Sequence, residues 1–132
     1  MILGIGIDII EIERVKKAIG SNRFWEKVYT PQERNFLDSR NKNSSSAAGN
    51  FAAKEAMVKA LGAGFGIVKW TDIEVLRDPK GAPYVLLHGK ALEMFKEMGG
   101  QRIWISISHS KKYAVAQVIV EGGGHGYVCG DA

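Results

Sequence analysis

The sequence predicts an α+β fold in which a small, antiparallel-rich sheet packs on one buried central helix. Three observations carry this expectation. The stretch Asn50 to Leu61 has helical periodicity but no ordinary polar face: at 100° per residue Ala48, Phe51, Ala52 and Val58 crowd around Glu55, and Ala53, Ala56 and Ala60 continue round the back. Arg102 to Ser108 alternates Ile103, Ile105 and Ile107 with Trp104, Ser106 and Ser108, and Tyr113 to Val120 returns after a short polar turn. The order of elements is strand, helices, strands, helix, strands, which suits α+β rather than a wound parallel sheet.

Ile2 to Ile7 is a short apolar run broken by Gly4 and Gly6, and reads as a buried strand ended by Asp8. Glu11 to Ile19 reads as a helix with Ile12, Val15 and Ile19 on one face, closed by Gly20. Arg23 to Val28 adds a turn or two. Thr30-Pro31-Gln32-Glu33 is a capping box with proline at the first helical position, so a helix runs to about Asp38. Arg40 to Ser46 reads as a mobile loop, and the buried helix follows it, closed by Gly62. Asp72 to Arg77 and Pro83 to His88 read as a hairpin around Asp78-Pro79-Lys80-Gly81, and Lys90 to Met98 as a helix. One domain covers 1–121. The tail 122–132 shows no periodicity and is expected to be disordered.

The chain has 132 residues with 18 basic and 14 acidic side chains, a net charge of +4. That is a mild bias toward anionic partners and far from a nucleic-acid tail. The single cysteine, Cys129, excludes an intrachain disulfide. No apolar run approaches the about 20 residues of a membrane span. The first residues lack the basic flank of a signal peptide, so a cytoplasmic location is expected.

The chemistry concentrates in a few side chains. A helix apolar nearly all round leaves Lys54, Glu55 and Lys59 in need of partners, because an unpaired buried charge is costly. Asp8 has two readings. Asp8-Ile9-Ile10-Glu11 has capping-box spacing, which makes it a helix N-cap. Alternatively it is a hard-metal ligand with Glu55, since Mg²⁺ is usually held by one or two carboxylates plus waters and phosphates. Glu55 itself could be a plain i,i+4 partner of Lys59. Lys59 and the glycines Gly62, Gly64 and Gly66 suggest phosphate, yet they follow a helix C-terminus, unlike a P-loop or a Rossmann turn. Ser108-His109-Ser110-Lys111-Lys112 is a polar turn or an anion site; nothing around Ser108 resembles a nucleophile elbow. His88 and His125 have no metal-ligand spacing and read as structural or solvated. Arg14, Lys16, Lys17, Arg23 and Lys27 form a basic set, either a solvated face or a dock for an acidic protein. No aromatic platform accompanies them, which speaks against nucleic acid.

Three blocks together resemble the bacterial holo-acyl-carrier-protein synthase family: Gly4 to Val15, Phe51-Ala52-Ala53-Lys54-Glu55-Ala56 with Lys59, and Ser106 to Gln117. They stand in that family's order and spacing, and Asp72 to Val75 and Lys80 to Pro83 fit between them. The resemblance covers Met1 to about Glu121. It implies a small 4′-phosphopantetheinyl transferase that moves phosphopantetheine from coenzyme A (CoA) to a serine of an acyl carrier protein, as a homotrimer with CoA sites between subunits. Carried over by position, Asp8 and Glu55 hold Mg²⁺ and, with Lys59, form the catalytic set. Lys59, Gly62, Pro83, His109 and Ser110 contact CoA. Arg14, Lys17 and Arg23 dock the carrier. One departure stands out: Asn50 occupies a position where the family often has arginine. Two other classes remain alternatives, a non-catalytic basic module for acidic protein or RNA and a different Mg²⁺-dependent nucleotide enzyme on the same scaffold.

Overall fold

The computed structural model describes residues 1–123; the expected disordered tail lies, from residue 124 on, outside the described residues. Strand β1 (Ile2–Glu11) leads into three short helices, α1 (Ile12–Ala18), α2 (Asn22–Val28) and α3 (Pro31–Ser39). The long helix α4 (Ser44–Leu61) follows, then a 3-10 turn at Trp70–Asp72. The hairpin β2 (Ile73–Arg77) and β3 (Pro83–Leu87), helix α5 (Gly89–Glu97), and the strands β4 (Gly100–His109) and β5 (Tyr113–Gly122) complete the chain.

Two antiparallel sheets form, a three-stranded one in the order β1-β5-β4 and the two-stranded β2-β3 hairpin. The register sets Gly6 opposite Val118 and Asp8 opposite Ala116. Ile105 and Ile107 continue the same two rows on β4. The alternation read from the sequence therefore has a plain meaning. Ile103, Ile105, Ile107, Ala116, Val118 and Val120 face α4 and pack into the main core with Ala52, Ala53, Ala56, Met57 and Ala60. A second core gathers Ile12, Val15, Trp25, Tyr29 and Leu37 against the start of α4, at Ala47 and Ala48.

The alanines of α4 let it lie close to the sheet, and the glycines of β1 complete that contact. A Cβ on Gly6 would stand 1.9 Å from the Ala56 carbonyl oxygen, and one on Gly4 2.0 Å from that of Ala60. Strand and helix thus touch backbone to backbone, which no larger residue permits.

Three expectations need correction. Asp8 does not end the first strand or cap a helix: β1 continues to Glu11, Asp8 pairs across the sheet, and the N-cap of α1 is Glu11 with no side-chain bond. Pairing with β5 as far as Tyr113 holds those residues extended. Ser44 to Ser46 are not loop: Asn43 caps them by accepting from the Ser46 N–H at 3.0 Å, so they form the first turn of α4. Finally, α4 is not closed all round. Phe51 and Glu55 are partly exposed and Lys59 is exposed, a narrow open strip one residue wide.

Candidate active site

The closest strand–helix contact positions the acids. Asp8 lies two residues beyond Gly6 on the same face of β1, turned toward the open strip of α4 that carries Glu55 and Lys59. The Lys59 ammonium donates to Asp8 Oδ1 at 3.1 Å and to the Ile7 carbonyl at 3.0 Å. The other carboxylate oxygen, Asp8 Oδ2, is buried without any donor in reach. Burial first, and then the neighbouring Asp8 carboxyl, push Glu55 up to about 7; Lys59 and Arg14 oppose this only in part. A proton on Glu55 would serve the orphaned oxygen.

That arrangement fits Mg²⁺ on its own terms. It offers two carboxylates at a half-open position, and no cluster of three or more His, Cys, Asp or Glu occurs among the described residues. Mg²⁺ characteristically takes one or two carboxylates and completes its shell with water and substrate oxygens.

A cavity of about 380 Å³ lies beside the pair, lined by Ile7, Asp8, Ile9, Lys59 and Val115. His109 and Ser110 do not enter it. They stand at the end of β4 in a separate cavity of about 280 Å³ with Ile9, Ser108, Tyr113 and Val115. The two hollows meet at Ile9 and Val115 on the outer face of the sheet. Ser110 is fixed by two bonds with Tyr113: its N–H donates to the carbonyl and its Oγ accepts from the N–H. Gly62 ends α4 in the left-handed region, φ 71°, with its N–H on the Lys59 carbonyl. Pro83 opens β3 opposite Arg77, and lines neither hollow. Arg14, Lys17 and Arg23 are exposed on α1 and α2.

The partner of Lys54 is a long-range one that no spacing in the sequence announces. Lys54 is fully buried and sits 2.8 Å from Glu33 Oε1, while also donating to the Trp70 and Ile73 carbonyls. Glu33 accepts in addition from the Thr30 and Val75 N–H groups at 2.8 and 2.7 Å. Thr30 Oγ1 donates to Glu74, whose other oxygen meets His88 at 3.0 Å. The capping box was legible from spacing; its second task as the counter-ion of Lys54 was not. The available signal was a lysine on the closed face of an apolar helix.

A small α+β domain with an acid pair and a lysine at a close strand–helix contact is a candidate site for a cation and a phosphate ligand. Comparison with known proteins narrows the class. Residues 4–118 match the 4′-phosphopantetheinyl transferase superfamily, and the chain belongs to that family. It is 53% identical to the holo-[acyl-carrier-protein] synthase of Alkaliphilus metalliredigens over 90% of this chain and 98% of that protein. It is 52% identical to the Clostridium tetani synthase over 92% of this chain and 98% of that protein. Among solved structures, the Bacillus anthracis synthase in complex with CoA (3′,5′-ADP) superposes with a TM-score of 0.77 at 40% identity, covering 93% of this chain and 99% of that one. The Helicobacter pylori synthase in complex with coenzyme A gives 0.78 at 36% identity, covering 89% and 99%.

Proposed function

We propose that this chain transfers 4′-phosphopantetheine from CoA to a serine hydroxyl of an apo acyl carrier protein, for fatty acid biosynthesis. The products are holo carrier and adenosine 3′,5′-bisphosphate. The observation that carries this reading is the Asp8–Glu55 pair with its orphaned oxygen and the adjacent Lys59, in a chain so similar to named synthases.

Asp8 and Glu55 would hold Mg²⁺, which supplies charge neutralisation at the pyrophosphate when bound. Lys59 exchanges Asp8 for a pyrophosphate oxygen and stabilises the charge that builds there. The serine oxygen forms the new bond to the β-phosphorus, and the bond from that phosphorus to the bridging oxygen breaks. The electron pair leaves with the adenosine bisphosphate. The serine proton needs an acceptor, and the Glu55 carboxylate or a water beside it are the two candidates.

His109 and Ser110, with Gly62 and Pro83, contact CoA in this reading. Within one chain His109 and Ser110 line a different hollow from Lys59, which supports a CoA site completed by a neighbouring copy. A homotrimer would also cover Ile5, Ile7 and Ile9, each more than half exposed on the outer sheet face, together with Trp104. Arg14, Lys17 and Arg23 meet the acidic carrier. No helix among the described residues is long and apolar enough to cross a membrane.

Incubation with CoA, Mg²⁺ and an apo carrier should add one phosphopantetheine to the carrier mass. No mass gain with several carriers would sink the reading. Binding of an acidic protein or RNA without metal or CoA would favour a basic docking module instead.

A further inference from the structure

The two sheets leave two strand edges facing each other without a partner between them. Among the described residues β3 pairs with β2 alone and β4 with β5 alone. Their edges bound a groove of about 420 Å³, where Leu92 and Phe95 of α5 join Tyr84, Leu86 and Leu87 of β3 and Ile103 of β4. Among the described residues no segment besides β3, α5 and β4 lines it. Tyr84 and Leu86 are left 40% and 42% exposed. An open, apolar strand edge is a liability that proteins commonly cover with a loop or a further strand.

The chain leaves the sheet beside this groove. Gly122, the last residue of β5, stands opposite Gly100, the first of β4, and the next two residues of β4, Gln101 and Arg102, line the groove. The Phe95 ring lies against the same point, 2.5 Å from where a Cβ on Gly100 would stand. Gly123 then takes a φ of 57°, a left-handed turn that glycine adopts readily and that breaks the line of β5. From there the sequence runs Gly124-His125-Gly126-Tyr127-Val128-Cys129-Gly130-Asp131-Ala132. It has no periodicity, yet it carries one apolar run, Tyr127-Val128-Cys129, set between glycines. Residues 124–126 reach about 10 Å at roughly 3.3 Å per residue, which matches two strand spacings of about 4.8 Å. That reach takes Tyr127 from β5 past β4 to the groove.

We propose that Tyr127 and Val128 dock into the β3–β4 groove of their own chain, so that the segment after Gly123 straps the two sheets together. The groove supplies apolar walls for the Val128 side chain and the Tyr127 ring. Gln101 and Arg102 at its mouth supply polar partners for the phenol hydroxyl, which a buried tyrosine ordinarily needs. An extended segment there also meets the unpaired main chain of an edge strand. The short tether from Gly123 to Gly126 sets an effective concentration of about millimolar order, so a contact too weak to hold a free peptide suffices. The same tether favours this segment over one from a second copy. The groove shares no lining residue with the cavity at Asp8 and Lys59, so the strap stands or falls apart from the transferase reading.

Cys129 is the single cysteine, so a nitroxide attached to it in the full chain reports where the strap lies. The methyl resonances of Leu86, Leu92 and Ile103 are expected to broaden, while those of Val15 and Val28 in the second core stay sharp. Tyr127→Ser combined with Val128→Ser is expected to lose the broadening. Unchanged positions of the Val15 and Val28 resonances show that this double variant still folds. Amide exchange repeats the test without a label. The outward-facing amides of β3 should exchange roughly tenfold faster in the double variant than in wild type, the mark of a local opening, with β1 unchanged. Groove resonances that stay sharp in the nitroxide-bearing chain overturn the proposal, as do broadening and exchange that are equal in the double variant. Mixing nitroxide-bearing chains with isotope-labelled, nitroxide-free chains separates the sources. Broadening in that mixture places the strap on a neighbouring copy and overturns docking within one chain.

Discussion

Lys54 and Lys59 lie on the same helix and keep opposite company. Lys54 is sealed between α3, β2 and the turn at Trp70, and every acceptor around it is spoken for. Lys59 stands at the open strip beside Asp8 and Glu55, where the buried Asp8 Oδ2 has no partner. The first arrangement is closed and has nothing left to offer a ligand. The second is left incomplete, and incompleteness is what a binding centre needs. The closed ion pair and the candidate site therefore differ in their unserved atoms rather than in their residue types.

The sharpest way to break the comparison is Lys54→Met. It strands Glu33 as a buried charge and should cost about 3–5 kcal/mol in denaturant unfolding, whereas replacing both partners with apolar residues should cost far less. Glu55→Gln should do the reverse. Carrier modification should fall on the order of a hundredfold, with stability in metal-free buffer unchanged or slightly higher. Gly6→Ala tests the frame that holds the acids. Its methyl must push β1 from α4, at roughly 1–3 kcal/mol for overpacking, and metal affinity should fall with it.

The pH response sharpens the same contrast. In the unfolded chain Glu55 has the ordinary value of 4.5, and in the folded chain about 7. The folded state thus holds the extra proton between those values, so the Glu55 contribution to stability is lost as pH rises through that window. This is the opposite of a salt-bridged acid. Melting temperatures of wild type minus Glu55→Gln, measured in chelator, should fall from pH 4.5 to 7, and Mg²⁺ should flatten the trend. The smallest effect belongs to the rim: Lys17→Glu should weaken carrier binding severalfold at low salt and little at high salt.

Much of the fold was legible because its signals were local. The hairpin at Asp78 to Gly81, the capping box at Thr30 and Glu33, and the in–out alternation of Ile103 to Ser108 all matched the strands and helices found. Asp8 was ambiguous because capping spacing is local while strand pairing is not: Tyr113, far along the chain, decides where β1 ends. Asn43 was hidden in a polar run that reads as a loop until its cap bond is seen. Of the candidate site, the two acids and Lys59 were legible as charges stranded on apolar elements. The Lys54 network and the Asn50–Arg77 contact were not, since each joins elements whose pairing no spacing announces.

The contact at Gly4 and Gly6 has a consequence for how freely this protein can change. Strand and helix meet through main-chain atoms, so the span between Asp8 and the Glu55 strip is not a sum of side-chain sizes. Drift among the surrounding isoleucines, valines and methionines can reshape the interior without altering that span. The spacing of the acids is insulated from most of the sequence and exposed to change at two positions.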